Sequence, residues 1–117
     1  MIVPSSAEEV SKAIKVIREH ECIFAVKSGG HAMFAGASNA PGGITIDLRN
    51  LNGIELVEDG ETTLVGTGNR WRDVYAKLEP LNRVVVGGRD SEVGVGGFIL
   101  GGDSSKVFPI TYYWLTC

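Results

Sequence analysis

The stretch that decides the reading of this chain is Val26-Lys27-Ser28-Gly29-Gly30-His31. It closes an apolar run, Cys22–Val26, and opens a loop of small residues through Gly36, Ser38, Asn39 and Pro41-Gly42-Gly43. Two consecutive glycines lack Cβ atoms, so the backbone can turn sharply there and approach a ligand closely. Successive N–H groups in such a turn can converge on an anion such as a phosphate. His31 adds an imidazole that is nucleophilic or basic near neutral pH. A phosphate cradle beside a reactive imidazole points to a nucleotide cofactor. Taken alone, a Gly-Gly-His turn is equally well a tight loop with an exposed or hydrogen-bonded histidine.

A second glycine-rich segment gives the first one company. Residues 87–102 hold seven of the 16 glycines: Gly87, Gly88, Gly94, Gly96, Gly97, Gly101 and Gly102. No Gly-Lys-Ser/Thr closes it, which excludes a P-loop, and the Gly-x-Gly-x-x-Gly spacing fails at Ile99. Glycine costs about 0.5–1 kcal/mol relative to alanine inside regular structure, so seven of them need a reason. Val93 to Gly102 is read as a loop whose backbone lies close to something flat or phosphorylated. Close packing of one element on another is the plainer account.

Around these loops the pattern is a mixture of helices and short strands. Ser6 with Glu9 makes a capping box for a helix over 6–20, with Val10, Ile14 and Ile17 at helical spacing. Cys22–Val26 reads as a buried strand and Ile44–Leu48 as a second. Ile54–Val57 and Thr62–Val65 flank a hairpin turn at Glu58-Asp59-Gly60-Glu61. A second helix is predicted from Trp71 to Leu81, striped by Trp71, Val74, Tyr75 and Leu78, and Val84–Val86 is predicted as a strand. The glycines stop at Gly102. Residues 103–117 carry four of the nine aromatics, an abrupt shift that marks an atypical tail, with Val107–Leu115 aggregation-prone if it does not pack.

With 117 residues the chain has room for one domain with a real core. A net charge of −3 gives no electrostatic reason to expect nucleic acid or an anionic membrane as partner. No signal peptide is visible, and no apolar run approaches a membrane span. Cys22 reads as a small buried hydrophobe, and two cysteines make neither a disulfide framework nor a metal cluster. Asp47 and Arg49 read as a strand-end charge pair. Arg89 and Asp90 lie between the two glycine groups, where they could touch cofactor or substrate. No paired carboxylates, metal ligands or Ser/His/Asp order stands out, so no catalytic residue is assigned. His31 is the nucleophile with a supporting context.

Five motifs in order carry a resemblance: Ile2-Val3-Pro4-Ser5-Ser6-Ala7-Glu8-Glu9-Val10, Val26–His31, Gly43-Ile44-Thr45-Ile46-Asp47-Leu48 with Leu51-Asn52, Val65-Gly66-Thr67-Gly68, and Val93–Gly97 through Gly101-Gly102. Together they resemble the FAD-linked oxidases of the p-cresol methylhydroxylase/vanillyl-alcohol oxidase (PCMH/VAO) type, and within them the berberine-bridge-enzyme-like group, particularly fungal members. The resemblance implies an α+β, PCMH-type FAD-binding domain. Residues 1–102 would be its N-terminal part, the first α/β subdomain with part of the second. The later strands and a substrate domain are not represented in the sequence.

By the same resemblance the cofactor is FAD. Lys27, Ser28, Gly29 and Gly30 would wrap its pyrophosphate, and His31 is the candidate for covalent attachment at the flavin 8α-methyl group. Gly36 and Ser38 would line the other side of that loop, and Gly94, Gly96, Gly97, Gly101 and Gly102 would pass the pyrophosphate and ring. Some relatives attach the flavin a second time through a cysteine shortly before the glycine loop that here is Val93–Gly102. Asp90 stands at that position here, so a second link is not expected. The implied activity is oxidation of an alcohol, a sugar or a secondary metabolite, with dioxygen as acceptor. Such relatives are often secreted, which leaves the compartment open. Competing readings are a non-catalytic remnant or binding module without stable FAD, and a general phosphate-binding α/β module.

Overall fold

Ser6 starts the first helix as its neighbours suggest. Its Oγ accepts the Glu9 N–H at 3.2 Å, while the Glu9 carboxylate accepts the Ser5 N–H at 2.7 Å. These bonds satisfy donors that a helix start otherwise leaves unpaired. The computed structural model, which describes residues 1–102, places this helix, α1, over Ala7–Glu19, with Ile17 buried. The tail expected over 103–117 lies outside the described residues. Among the described residues no helix is long and apolar enough to cross a membrane.

Two short strands follow, β1 over Phe24–Lys27 and β2 over Ile44–Asp47, paired in parallel with Lys27 opposite Asp47. Ile2 bridges the other side of β2, donating to Thr45 O and accepting from Asp47 N, both at 2.8 Å. β2 is therefore flanked on both sides, and Ile46 is fully buried. The expectation of a buried strand from Cys22 needs correction. β1 starts two residues later, Cys22 is exposed, and Phe24 and Val26 stay nearly half-exposed while Ala25 is buried. Alternate side chains of a strand point to opposite faces, and β1 is an edge strand among the described residues.

β3 over Ile54–Leu56 and β4 over Thr63–Val65 form the expected antiparallel hairpin. Its turn is held by Asp59, whose carboxylate accepts the Glu61 and Thr62 N–H groups and the Thr62 hydroxyl. The same bonds, the Thr62 hydroxyl first, hold the Asp59 pKa below its ordinary value.

The second helix is shorter than predicted. α2 runs Trp71–Leu78 and gives way to a 3₁₀ turn over Glu79–Leu81, where Pro80 lacks the N–H an α-helix would use. Trp71, Val74 and Leu78 are buried together with Val95, and this cluster is the hydrophobic core of the hairpin side. Val84–Val86 is not a strand among the described residues, and Val84 is 95% exposed.

The larger correction concerns the second glycine segment. Residues Val95–Leu100 are a helix, α3, rather than a loop. Val95, Phe98 and Ile99 recur at helical spacing and pack on the α2 core, and Phe98 meets the Trp71 ring edge-to-face at 5.1 Å. Packing outweighs the poor helix propensity of Gly96 and Gly97.

Candidate cofactor site

The register of β1 and β2 builds the base of the site. Because Lys27 and Asp47 are direct neighbours on one face, the Lys27 ammonium reaches Asp47 Oδ2 at 3.2 Å. Arg49 closes on the same oxygen at 2.5 Å, and its main-chain N–H donates to Oδ1 at 3.1 Å. Asp47 is only 1% exposed. Its pKa falls to about 2, chiefly through the Arg49 hydrogen bond, with Lys27 adding to it against the penalty of burial. The Arg49 pKa is correspondingly raised by Asp47. The strand-end pair read from sequence is thus a triad that fixes the start of the glycine loop, and Leu48 N donates to Lys27 O at 2.8 Å.

Ser28 ties this loop to the second glycine segment. Its hydroxyl donates to Thr67 O at 2.6 Å and accepts the Gly96 N–H at 3.2 Å. Just beyond, Gly29 and Gly94 touch backbone to backbone. A Cβ on Gly29 would lie 2.7 Å from Gly94 Cα, and one on Gly94 would lie 2.6 Å from Gly29 Cα. A Cβ on Gly96 would meet the Ser28 Cβ at 3.2 Å. Close packing therefore accounts for glycine at these three positions, and it brings the two segments together across 65 residues of chain.

The loop turns at Gly30, whose φ of +70° suits a residue without a side chain. The N–H groups of Gly29, Gly30 and His31 have no hydrogen-bond partner among the described residues. Beside them lies a hollow of about 370 Å³ lined by Lys27, Gly30, Phe34, Ser38, Asn39 and Thr45. Gly30 and Ser38 thus share one wall, whereas Gly36 stands in open space. On the other side of Lys27 is a wider cleft of about 780 Å³, bordered by Ser28, Asp47, Arg49, Arg70, Arg72 and Lys77. Gly97 also faces open space, at the first turn of α3. Gly101 and Gly102 lie at the other end of that helix, about 9 Å along its axis. His31 points its Nε2 at Asp90, 3.5 Å from Oδ2, with both side chains about half-exposed.

Sequence reasoning missed three supports. Asn69 is buried; its side-chain Nδ2 donates to Gly66 O at 2.9 Å and Gly53 O at 3.3 Å, and its main-chain carbonyl accepts the Val95 N–H at 2.9 Å. Gly68 gives Leu48 room, since a Cβ there would lie 2.8 Å from the Leu48 carbonyl carbon. Gly87 and Gly88 lie against the Trp71 ring, where a Cβ would come 2.8 Å from Cδ2 or 2.5 Å from Cδ1. The Val65–Gly68 motif was a signal for the first two. The other glycines belong to the excess over 87–102, which the sequence ties to a ligand rather than to an indole.

Residues 1–108 match the model of the FAD binding domain family. The chain belongs to this family. FAD is the cofactor of that domain. Among its relatives, the FAD-dependent monooxygenase tpcD of Cochliobolus heterostrophus is 49% identical over 100 residues, covering 86% of this chain and 19% of the relative. The FAD-dependent monooxygenase drtC of Aspergillus calidoustus is 43% identical over 106 residues, covering 87% and 20%. Solved structures agree. 6-Hydroxy-D-nicotine oxidase from Arthrobacter nicotinovorans superposes with a TM-score of 0.71 at 29% identity, covering 77% of this chain and 20% of that one. A chitooligosaccharide oxidase gives 0.72 at 29%, covering 81% and 20%. The chain spans about a fifth of the length of these proteins. The fold is the α+β, PCMH-type arrangement that the five motifs implied.

The residues present fit the family's cofactor. A pyrophosphate carries negative charge and accepts hydrogen bonds, and the loop offers a short row of unpaired N–H donors beside the Lys27 ammonium. A side chain at Gly30 would lie 2.9 Å from Lys27 Cε and crowd this row.

Proposed function

We propose that this chain forms the pyrophosphate-holding part of an FAD-dependent oxidoreductase that oxidises a small molecule with dioxygen as acceptor. The observation that carries the reading is the run of unpaired main-chain donors from Gly29 to His31, set on a loop whose start is pinned at Lys27 and Ser28. Ser28 holds the loop to the Thr67 carbonyl and to α3, so the donors are ordered before any ligand arrives. Lys27, half-buried and steadied by Asp47, adds positive charge at the loop's base. Preorganised donors of this kind bind an anion without having to be gathered first.

FAD, when bound, supplies the two-electron acceptor that none of the side chains can provide. His31 is the proposed covalent anchor, because its imidazole immediately follows the donor row and stands at the loop's open edge. A tether of this kind keeps the flavin in place when the rest of the ligand is released. The substrate class we propose is an alcohol, a sugar or a secondary metabolite. Names such as chitooligosaccharide oxidase and 6-hydroxy-D-nicotine oxidase among the structural relatives support small organic substrates, and the monooxygenase names among the sequence relatives support dioxygen.

The test is spectroscopic. The purified chain, incubated with FAD, is scanned over roughly 350–500 nm and then precipitated in acid, since a covalent bond survives loss of the fold and non-covalently held FAD does not. Yellow colour retained in the pellet, and lost in His31→Ala, is the expected result. Protein that takes up no flavin contradicts the proposal and favours a non-catalytic binding role.

A further inference from the structure

Asp90 is built to present a carboxylate oxygen to His31. Its Oδ1 accepts the Glu92 N–H at 2.9 Å, and its own carbonyl accepts the Val93 N–H at 3.3 Å. The segment that carries it is laid along the start of α2: Ser91 O accepts the Arg72 N–H at 3.0 Å, and Val93 O accepts the Trp71 N–H at 3.1 Å. Glu92 adds ion pairs to Arg70 and Arg72. With Oδ1 occupied and the turn fixed, Oδ2 faces the imidazole, 3.5 Å from His31 Nε2.

We propose that Asp90 is the positioning residue for His31 in flavin attachment, holding the imidazole by Nε2 so that Nδ1 is the free nucleophilic nitrogen. This rests on the covalent reading given above. In the neutral ring one nitrogen carries the proton and the other the lone pair, and the partner of the first decides which. A carboxylate accepts and cannot donate when ionised, so the nitrogen that faces it is the N–H. Attachment then balances as follows. A bond forms between Nδ1 and the flavin 8α carbon, and one C–H bond of that methyl group breaks, its proton staying on the reduced flavin and its electron pair reducing the ring. The Nε2 proton passes to Asp90 and on to water. The flavin is the oxidant in this step and ends two electrons reduced, and dioxygen restores it with release of hydrogen peroxide.

The role is distinct from a contact that merely stabilises the loop, because it predicts a tautomer and a rate. In the ¹⁵N spectrum of the full chain, His31 should carry its proton on Nε2. Asp90→Val should lose that preference and slow covalent incorporation, read as flavin fluorescence of the denatured protein, by about 100-fold, the scale of positioned proton transfer. In Asp90→Asn the amide oxygen keeps the Glu92 N–H and the NH2 takes the place of Oδ2, a donor toward Nε2, so the proton should move to Nδ1 and attachment should slow at least as much as in Asp90→Val. Reversible FAD binding should change less than about threefold in both variants, which separates attachment from a folding defect. Attachment at the parent rate in Asp90→Val, or a proton on Nδ1 in the parent protein, overturns the proposal. If the parent binds FAD but never attaches it, the covalent reading itself fails, and that result is seen before either variant is made.

Discussion

Asp47 is the residue whose removal the structure quantifies best. Its pKa moves from an ordinary 3.8 to about 2 in the folded chain because Arg49 and Lys27 share its carboxylate. At about 1.4 kcal/mol for each tenfold change in proton affinity, that corresponds to roughly 2–3 kcal/mol of folding stability near pH 7. In Asp47→Asn the two cations are not trapped, since Lys27 is 33% and Arg49 56% exposed and both can turn to water. The loss should therefore stay below the roughly 3–5 kcal/mol typical of stranding a fully buried charge. The sign follows from the depressed pKa: the stabilisation is complete above about pH 4 and disappears as pH falls through about 2. Urea unfolding followed by the emission of the buried Trp71 should show a midpoint lower by roughly 2 M at pH 7 in the variant, for a slope of about 1.2 kcal/mol per molar. At pH 2.5 the difference should shrink below about 1 kcal/mol. Equal midpoints at pH 7, or a difference as large at pH 2.5 as at pH 7, would refute the reasoning.

Other residues give sharper structural tests. Ser28→Ala removes a donor to Thr67 and an acceptor for Gly96, and should cost about 1–3 kcal/mol in denaturant unfolding while weakening FAD binding. Gly94→Ala drives a methyl group into the Gly29 backbone, which cannot yield as a flexible side chain can; it should destabilise by at least about 1–3 kcal/mol and lower FAD affinity in an equilibrium titration. Gly87→Ala meets the Trp71 ring instead, so it should alter the near-UV circular dichroism of the indole and lower the melting temperature. A melting temperature equal to the parent's in either glycine variant contradicts the packing described here.

The parts of the fold that were legible in the sequence are those set by local chemistry. Ser6 and Glu9 announce a helix start, Asp59-Gly60 a hairpin, and Trp71, Val74 and Leu78 a helix face, and each is where its pattern put it. The errors arose where long-range packing decides. The glycines of 94–102 argued against a helix, yet Val95, Phe98 and Ile99 gain more from the Trp71 core than Gly96 and Gly97 lose. Val84–Val86 has strand composition, but a strand also needs a register that local sequence does not specify. In the site, Lys27–His31 stood out because consecutive glycines before a histidine are unusual locally. The Asp47 triad and the Asp90 contact depend on register and on a distant turn. Their residues were visible as charges, but their partners were not.

The central claim is that the Gly29–His31 donors hold a pyrophosphate. Titration of the chain with FAD and, in parallel, with riboflavin tests it most directly, because the two ligands share the isoalloxazine ring and differ in the phosphates and adenosine. Quenching of flavin fluorescence by the chain should saturate with FAD and should be absent or at least about tenfold weaker with riboflavin, as expected when charged hydrogen bonds carry the affinity. Equal binding of the two ligands, or no binding of FAD, would contradict the account.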